Sequence, residues 1–228
     1  STQSILLSAD QQFENLLDEH WHWYTSQYPS FATSLGIRDY DDKLNDPSLE
    51  AYEARIKRQK TLLTQFQAVD LVSLSAANQL NHALMLLKLG YEIEAANFGD
   101  KYMLITNRGG PHMSLTRLPS RLPFFSKTDY QSYVTRLSVM PETLEKATDT
   151  LRSGLEAGWV QPCAPMVGYE NSISAHIVDP IDSVFMQPFA NKPAAMTQDD
   201  FDTLKAKALT TIEAQIIPAF ITFQTFYN

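Results

Sequence analysis

A single cysteine, Cys163, occurs in 228 residues. That excludes an internal disulfide and any zinc cluster built from several thiolates, and it leaves the redox compartment unassigned. Basic charge is also scarce: 18 Lys and Arg stand against 26 Asp and Glu, a net charge of −8. A phosphate-binding surface needs the opposite sign, so no nucleic-acid partner is expected. No apolar run reaches the roughly 18 residues that a membrane-spanning helix requires. The most apolar stretch, 83–89, stops at Gly90. Residues 1–9 have neither a charged leader nor an apolar core, so no export signal is expected in them, and the start at Ser1 points to processing or to a longer parent chain.

Several catalytic signatures are missing as well. A zinc peptidase helix carries HExxH, which sets two imidazoles one turn apart on the same face; the sequence has no such motif. His20 and His22 are the nearest pair, but residues two apart on a helix point about 200° away from each other. His20 is therefore expected as a hydrogen-bonded core histidine, and Glu14, Asp18 and His22 as a solvated stripe. The hydrolase elbow GxSxG is absent. Cys163, set among prolines with no cue to a base, is expected to be a small buried residue. The Gly109-Gly110 pair is followed by neither the Walker lysine nor the GxGxxG spacing. No repeat or low-complexity segment is present.

What is present is an ordinary folding composition, 44% hydrophobic and 19% charged, in a chain long enough for a large core. The pattern predicts an all-α fold: one helical, bundle-like domain over 1–228 with long irregular loops. Ser8 with Gln11 caps a first helix whose inner face holds Phe13, Leu16, Leu17, His20, Tyr24 and Tyr28. Pro29 ends it, a short helical turn runs to Gly36, and 39–47 is an acidic loop. A helix capped by Ser48 buries Leu49, Tyr52, Ile56, Leu63 and Phe66. Another opens at Ser73 and runs to about 97; its middle, 83–89, is apolar nearly all round, as in the central helix of a bundle. Residues 101–106 form either a short β element or an extended lead-in.

Further on, a helix from Ser126 or Thr128 carries Tyr130, Tyr133, Val134 and Leu137, and Pro141 starts the next, which runs to about 156. A loop at 158–165 precedes a helix over 166–178, and 185–196 is punctuated by proline. Thr197 with Asp200 caps a last helix to Ile217, which Pro218 kinks or ends. The tail 219–228 is apolar enough to demand burial, on this domain or on further chain.

The unusual chemistry collects in 106–123, TNRGGPHMSLTRLPSRLP, the longest stretch predicted to be non-helical. Glycines let a backbone approach a ligand, and Asn107, Arg108 and His112 supply donors. Arg108, Arg117 and Arg121 gather positive charge in an acidic chain, which suits a carboxylate; the plainer reading is that they pair with the chain's own acids. Asn107, Arg108, Gly109, Gly110, His112 and Arg117 are the candidate substrate-binding residues, and no catalytic or metal-binding residue can be assigned.

Four landmarks then share a pattern: YPSFATSLGI at 28–37 with DYDD at 39–42, GGPH at 109–112, GLEAGWVQP at 154–162 and PAF at 218–220. In this order they resemble the N-terminal half of the bacterial family catalogued as domain of unknown function 885. The resemblance implies a helical protein longer than this chain, often exported or lipid-anchored. It implies a second half bearing an HExxH-like motif, hence zinc and peptide hydrolysis by the full-length protein. The 228 residues stop before that half, so they hold no cofactor on this reading. The expected role is a non-catalytic portion that shapes the cleft for a peptide or small carboxylate-bearing substrate and joins the missing half of the same chain. The alternative is a stand-alone helical module that binds a peptide or protein. The implied location is the periplasm or cell envelope, otherwise the cytoplasm.

Overall fold

Nine α-helices organise the computed structural model, which describes residues 7–228: α1 (Ala9–Gln27), α2 (Pro29–Ser34), α3 (Leu49–Gln67), α4 (Ala76–Ala95), α5 (Pro111–Thr116), α6 (Lys127–Glu156), α7 (Glu170–Ser174), α8 (Gln198–Thr211) and α9 (Ile217–Tyr227). The fold is all-α. Residues 101–106 form no strand; among the described residues the one β-type pairing is the isolated bridge of Thr106 with Gly109. No described helix is long and apolar enough to cross a membrane. Most of 1–9, where an export signal was not expected, lies outside the described residues. The chain divides into two compact units, one made of residues up to Ser26 with Leu49–Lys101, the other of Gln27–Ser48 with Tyr102–Asn228.

In the first unit α1 starts at the predicted capping box: Gln11 N donates to Ser8 Oγ (3.2 Å) and Ser8 N to Gln11 Oε1 (3.0 Å). Its Phe13 packs with Leu62, Phe66, Leu74 and Leu89 into a small core, edge-on to Phe66 at 5.8 Å. Of the predicted stripe of α3, Phe66 is fully buried and Leu63 is half-buried against the same core, while Gln59 and Leu62 are buried beside them. The next helix starts later than predicted. Ser73 closes a 3-10 turn held by Asp70, and the cap of α4 is Ser75, whose Oγ accepts from Asn78 N (3.3 Å). The central-helix expectation is also corrected: Leu84 and Leu87 of 83–89 are exposed, so α4 buries only the face bearing Asn78, His82 and Leu89. His20 is buried as predicted, but its Nε2 has no hydrogen-bond partner and the ring stacks on Tyr24 (5.9 Å).

The second unit is built on α6. Ser126 caps it in a capping box with Asp129. Pro141 does not begin a new helix: it lies inside α6, leaving the Leu137 carbonyl without its usual donor. The helix continues because Leu137, Met140 and Leu144 on both sides of the proline bury in one core, so breaking there would expose them. Tyr130 Oη donates to Pro188 O (2.6 Å) and Tyr133 Oη to Phe185 O (2.8 Å), which pins the 3-10 segment Val184–Phe189 to α6. The helix expected at 166–178 shrinks to α7, because Gly168 takes a left-handed φ of 83° that ends any earlier helical turn. The last helix runs past Pro218 by widening into a π-turn, Ile212–Ile216, before α9. The apolar tail is buried on this unit through Phe220 and Phe223.

Arg136 ties the excursion 27–48 into this unit. It is 1% exposed. Its Nε donates to Lys43 O (2.9 Å), and its Nη2 to Thr33 Oγ1 (2.7 Å), Tyr40 O (3.2 Å) and Pro29 O (3.4 Å). Thr33 Oγ1 donates to Asp41 Oδ1 (2.6 Å), and Arg38 bridges Asp41 to Asp129. Burial pulls the Arg136 guanidinium below its usual pKa, while Asp41 and Asp42 act the other way. Burial works to raise the Asp129 carboxyl, yet the hydrogen bonds from Arg38 and the amides of Phe125 and Ser126 leave it lowered overall. Removing the buried guanidinium leaves the acceptors it serves unpaired, at about 1–3 kcal/mol for each. Arg136→Ala is therefore expected to lower stability by that order in urea unfolding followed by circular dichroism, with 27–48 becoming the first site of limited proteolysis.

Candidate functional site

Residues 106–123 contain more regular structure than their composition suggests. Thr106 N donates to Gly109 O (2.9 Å) and Gly109 N to Thr106 O (3.2 Å), a tight turn with Asn107 and Arg108 exposed at its tip. Arg108 N donates to Thr106 Oγ1 (3.3 Å), which fixes the turn from inside. Pro111 then occupies the first position of α5, where its missing N–H is no loss, and a 3-10 turn follows at Leu118–Ser120. The expected continuous loop is thus a turn, a short helix and a second turn.

The GGPH motif is explained by packing against α7 and the residue before it. Tyr169 Oη donates to Gly109 O (3.0 Å). A Cβ on Gly110 would sit 2.0 Å from that hydroxyl, so only glycine lets the two chains approach; the φ of −179° would admit any residue. His112 is fully buried, T-shaped to Tyr169 (5.5 Å) and against Phe223 (5.5 Å). Its Nε2 lies 2.9 Å from Ser172 Oγ, and that hydroxyl gives its proton to Tyr169 O (2.6 Å). Nε2 must therefore be the donor, and Nδ1, left as the acceptor, has no partner. Burial first, and then the neighbouring His176, push the His112 pKa down to about 4.

A cavity of about 310 Å³ opens beside this turn. Its wall is apolar at Leu44, Leu104, Leu115 and Leu118 and polar at Asn45, Thr106 and Ser114. Of the sequence candidates, Gly109 and Gly110 line it. Asn107, Arg108 and Arg117 are exposed and adjoin lining residues in sequence, while His112 points into the core. Arg108, Arg117 and Arg121 form no ion pair among the described residues, so they do not pair with the chain's own acids there. Sequence reasoning missed Ser30, Leu44, Asn45 and Pro47, which lie far upstream in the excursion 27–48, and Thr143 of α6. The DYDD stretch near them was the available signal, although it carries acids rather than the lining residues themselves.

Cys163 departs from expectation, being exposed rather than buried. It lines a second, mostly aromatic and aliphatic cavity of about 330 Å³ with Trp159, Phe226 and Tyr227. No three His, Cys, Asp or Glu among the described residues are grouped to hold a metal ion. Zinc therefore finds no fitting donor set in these residues.

Two consequences can be measured. Gly110→Ala should lose about 1–3 kcal/mol by overpacking against Tyr169, and Tyr169→Phe placed in the same chain should recover part of it; thermal unfolding of the pair and the singles tests this. His112 has a folded pKa below its unfolded value, so the unfolded chain binds the extra proton. Stability should fall as pH drops from about 6.5 to about 4, and His112→Gln should flatten that slope in urea titrations.

The solved structure of a protein described as "the putative lipoprotein from Colwellia psychrerythraea" has this fold, with a TM-score of 0.86 at 14% identity. The similarity covers 97% of this chain and 41% of that one, so the chain spans less than half the length of its structural relative. No curated protein matches the sequence. A family model matches residues 29–228, a span that takes in the excursion 27–48 almost whole, the GGPH turn and the cavity between them. The chain belongs to that family, described as bacterial protein of unknown function (DUF885).

Proposed function

We propose that this chain is the non-catalytic, substrate-side portion of a longer hydrolase-like protein, and that the cavity beside the 106–109 turn receives a peptide. The supporting observation is the coincidence of that cavity with exposed arginines that have no acidic partner among the described residues. The leucines of the wall accept an apolar side chain. Arg108, at the tip of a hydrogen-bonded turn next to the lining Gly109, binds a carboxylate in a charge-assisted pair, and Arg117 on the far end of α5 adds to the local field. Asn107 supplies a neutral donor and acceptor beside it. His112 acts through the backbone: buried on Ser172, it holds the GGPH turn in place.

Hydrolysis belongs, on this reading, to chain outside these residues. Zinc and a general base would be supplied there. A place in the cell envelope is supported by the description of the structural relative as a lipoprotein.

The test is calorimetric titration of short peptides ending in leucine, with a free carboxylate or as the amide. A hydrogen bond to a charged group is worth about 1.5–3 kcal/mol, so the carboxylate form should bind about tenfold or more tightly than the amide. Arg108→Ala should erase that difference without altering the unfolding midpoint. Equal binding of both peptides, or an unaffected variant, overturns the assignment. A complete gene product that carries no zinc and cleaves no peptide removes the hydrolase part while leaving a binding module.

A further inference from the structure

The outer face of α4 is the least explained surface of the first unit. Leu80 (62%), Leu84 (54%), Leu87 (52%) and Tyr91 (65%) are all exposed. Their spacing of four, three and four residues is the heptad repeat by which one helix packs on another. The opposite face, with Asn78, His82 and Leu89, is buried against α1 and α3, and Met85 is half-buried between the two faces. A helix apolar on two opposite faces is built for the middle of a layer, with neighbours on both sides. Among the described residues only one side has its neighbour. Leu17 of α1 joins Leu84, Met85, Leu87 and Tyr91 along a groove of about 560 Å³ whose lining also includes the polar Asn81 and Lys88, and Leu80 continues the apolar stripe beyond it.

We infer that this groove seats an amphipathic helix from the part of the protein outside these 228 residues. Two arguments select that occupant. The heptad spacing calls for a helix rather than an extended peptide or a small ligand. More than half of the solved relative lies outside the region that this chain matches, so a protein of this fold carries ample further chain. Four large side chains held in water, each worth about 1.5–3 kcal/mol on full burial, give that helix a strong seat.

The inference shares with the cleft reading only the premise of a longer chain, and its test does not involve peptide binding. A thiol is placed by Leu87→Cys in a Cys163→Ser background, other cysteines of the complete gene product also being changed to serine. Both positions are exposed, so the fold should persist, as far-ultraviolet circular dichroism will show. Maleimide reaction is timed in the 228-residue chain and in the complete gene product, with Val72→Cys, at 89% exposure, as the control. The expected result is a rate at least about tenfold slower at position 87 in the complete product, with position 72 unchanged. Equal rates at 87 overturn the inference, as does equal protection at 72. A 228-residue chain that sediments as a dimer with position 87 protected also overturns it, in favour of a second copy. So does a reading frame that ends at Asn228.

Discussion

Arg136 is the constraint on which the second unit depends. Residues 27–48 belong to that unit although the chain on both sides of them belongs to the other, so something in α6 must hold them. They contain one short helix, α2, and their Phe31 and Leu35 are exposed rather than packed. What they offer is backbone carbonyls, at Pro29, Tyr40 and Lys43, and one buried guanidinium satisfies all three. A lysine could not do this, since its three donors lack the planar fork that reaches carbonyls on several sides. Asp41 and Asp129, bridged by Arg38, complete the charge balance and link the excursion to the N-terminal cap of α6. The cavity wall at Leu44, Asn45 and Pro47 is placed by that attachment.

The opposite wall is placed by a second device of the same kind. Tyr169 reaches across to the Gly109 carbonyl, Gly110 makes room for it, and His112 locks onto Ser172 behind it. A motif that looks like ligand chemistry in the sequence is mostly architecture. Its glycines shape the cavity by letting a tyrosine close in, and its histidine is neutral and out of solvent. The groups free to meet a ligand are those the architecture displays: Asn107 and Arg108 at the turn tip and Arg117 at the end of α5. Neutral burial of His112 also ties the integrity of this wall to pH, because protonating the imidazole would charge a site that has no solvent and no counter-ion.

Local signals in the sequence matched the structure where the physics is local. The capping box at Ser8, the Thr197 cap, the break at Gly36 and the all-α class each depend on a few neighbouring residues, and each was legible; the start of α6 was legible only as Ser126 or Thr128, and the structure selects Ser126. Errors appeared where distant packing overrides a local preference. Pro141 should start a helix by its own geometry, yet burial of Leu137, Met140 and Leu144 carries α6 through it. Residues 83–89 look buried all round, yet Leu84 and Leu87 of α4 are exposed among the described residues. Cys163 looks like a core residue, yet it stands in the open.

For the candidate site the division is the same. The sequence by itself determined the fold class, the position of the GGPH turn and the excess of arginine around it, because composition, glycine and proline act over a few residues. It also carried the landmarks that resemble the family. Only the tertiary structure decided that His112 faces the core, that Gly110 exists to admit Tyr169, and that Leu44 and Asn45 stand across a cavity from Ser114. Those facts rest on contacts between residues some sixty or more positions apart, made possible by Arg136 and Tyr169, and no periodicity or spacing along the chain encodes which distant carbonyl a buried donor will find.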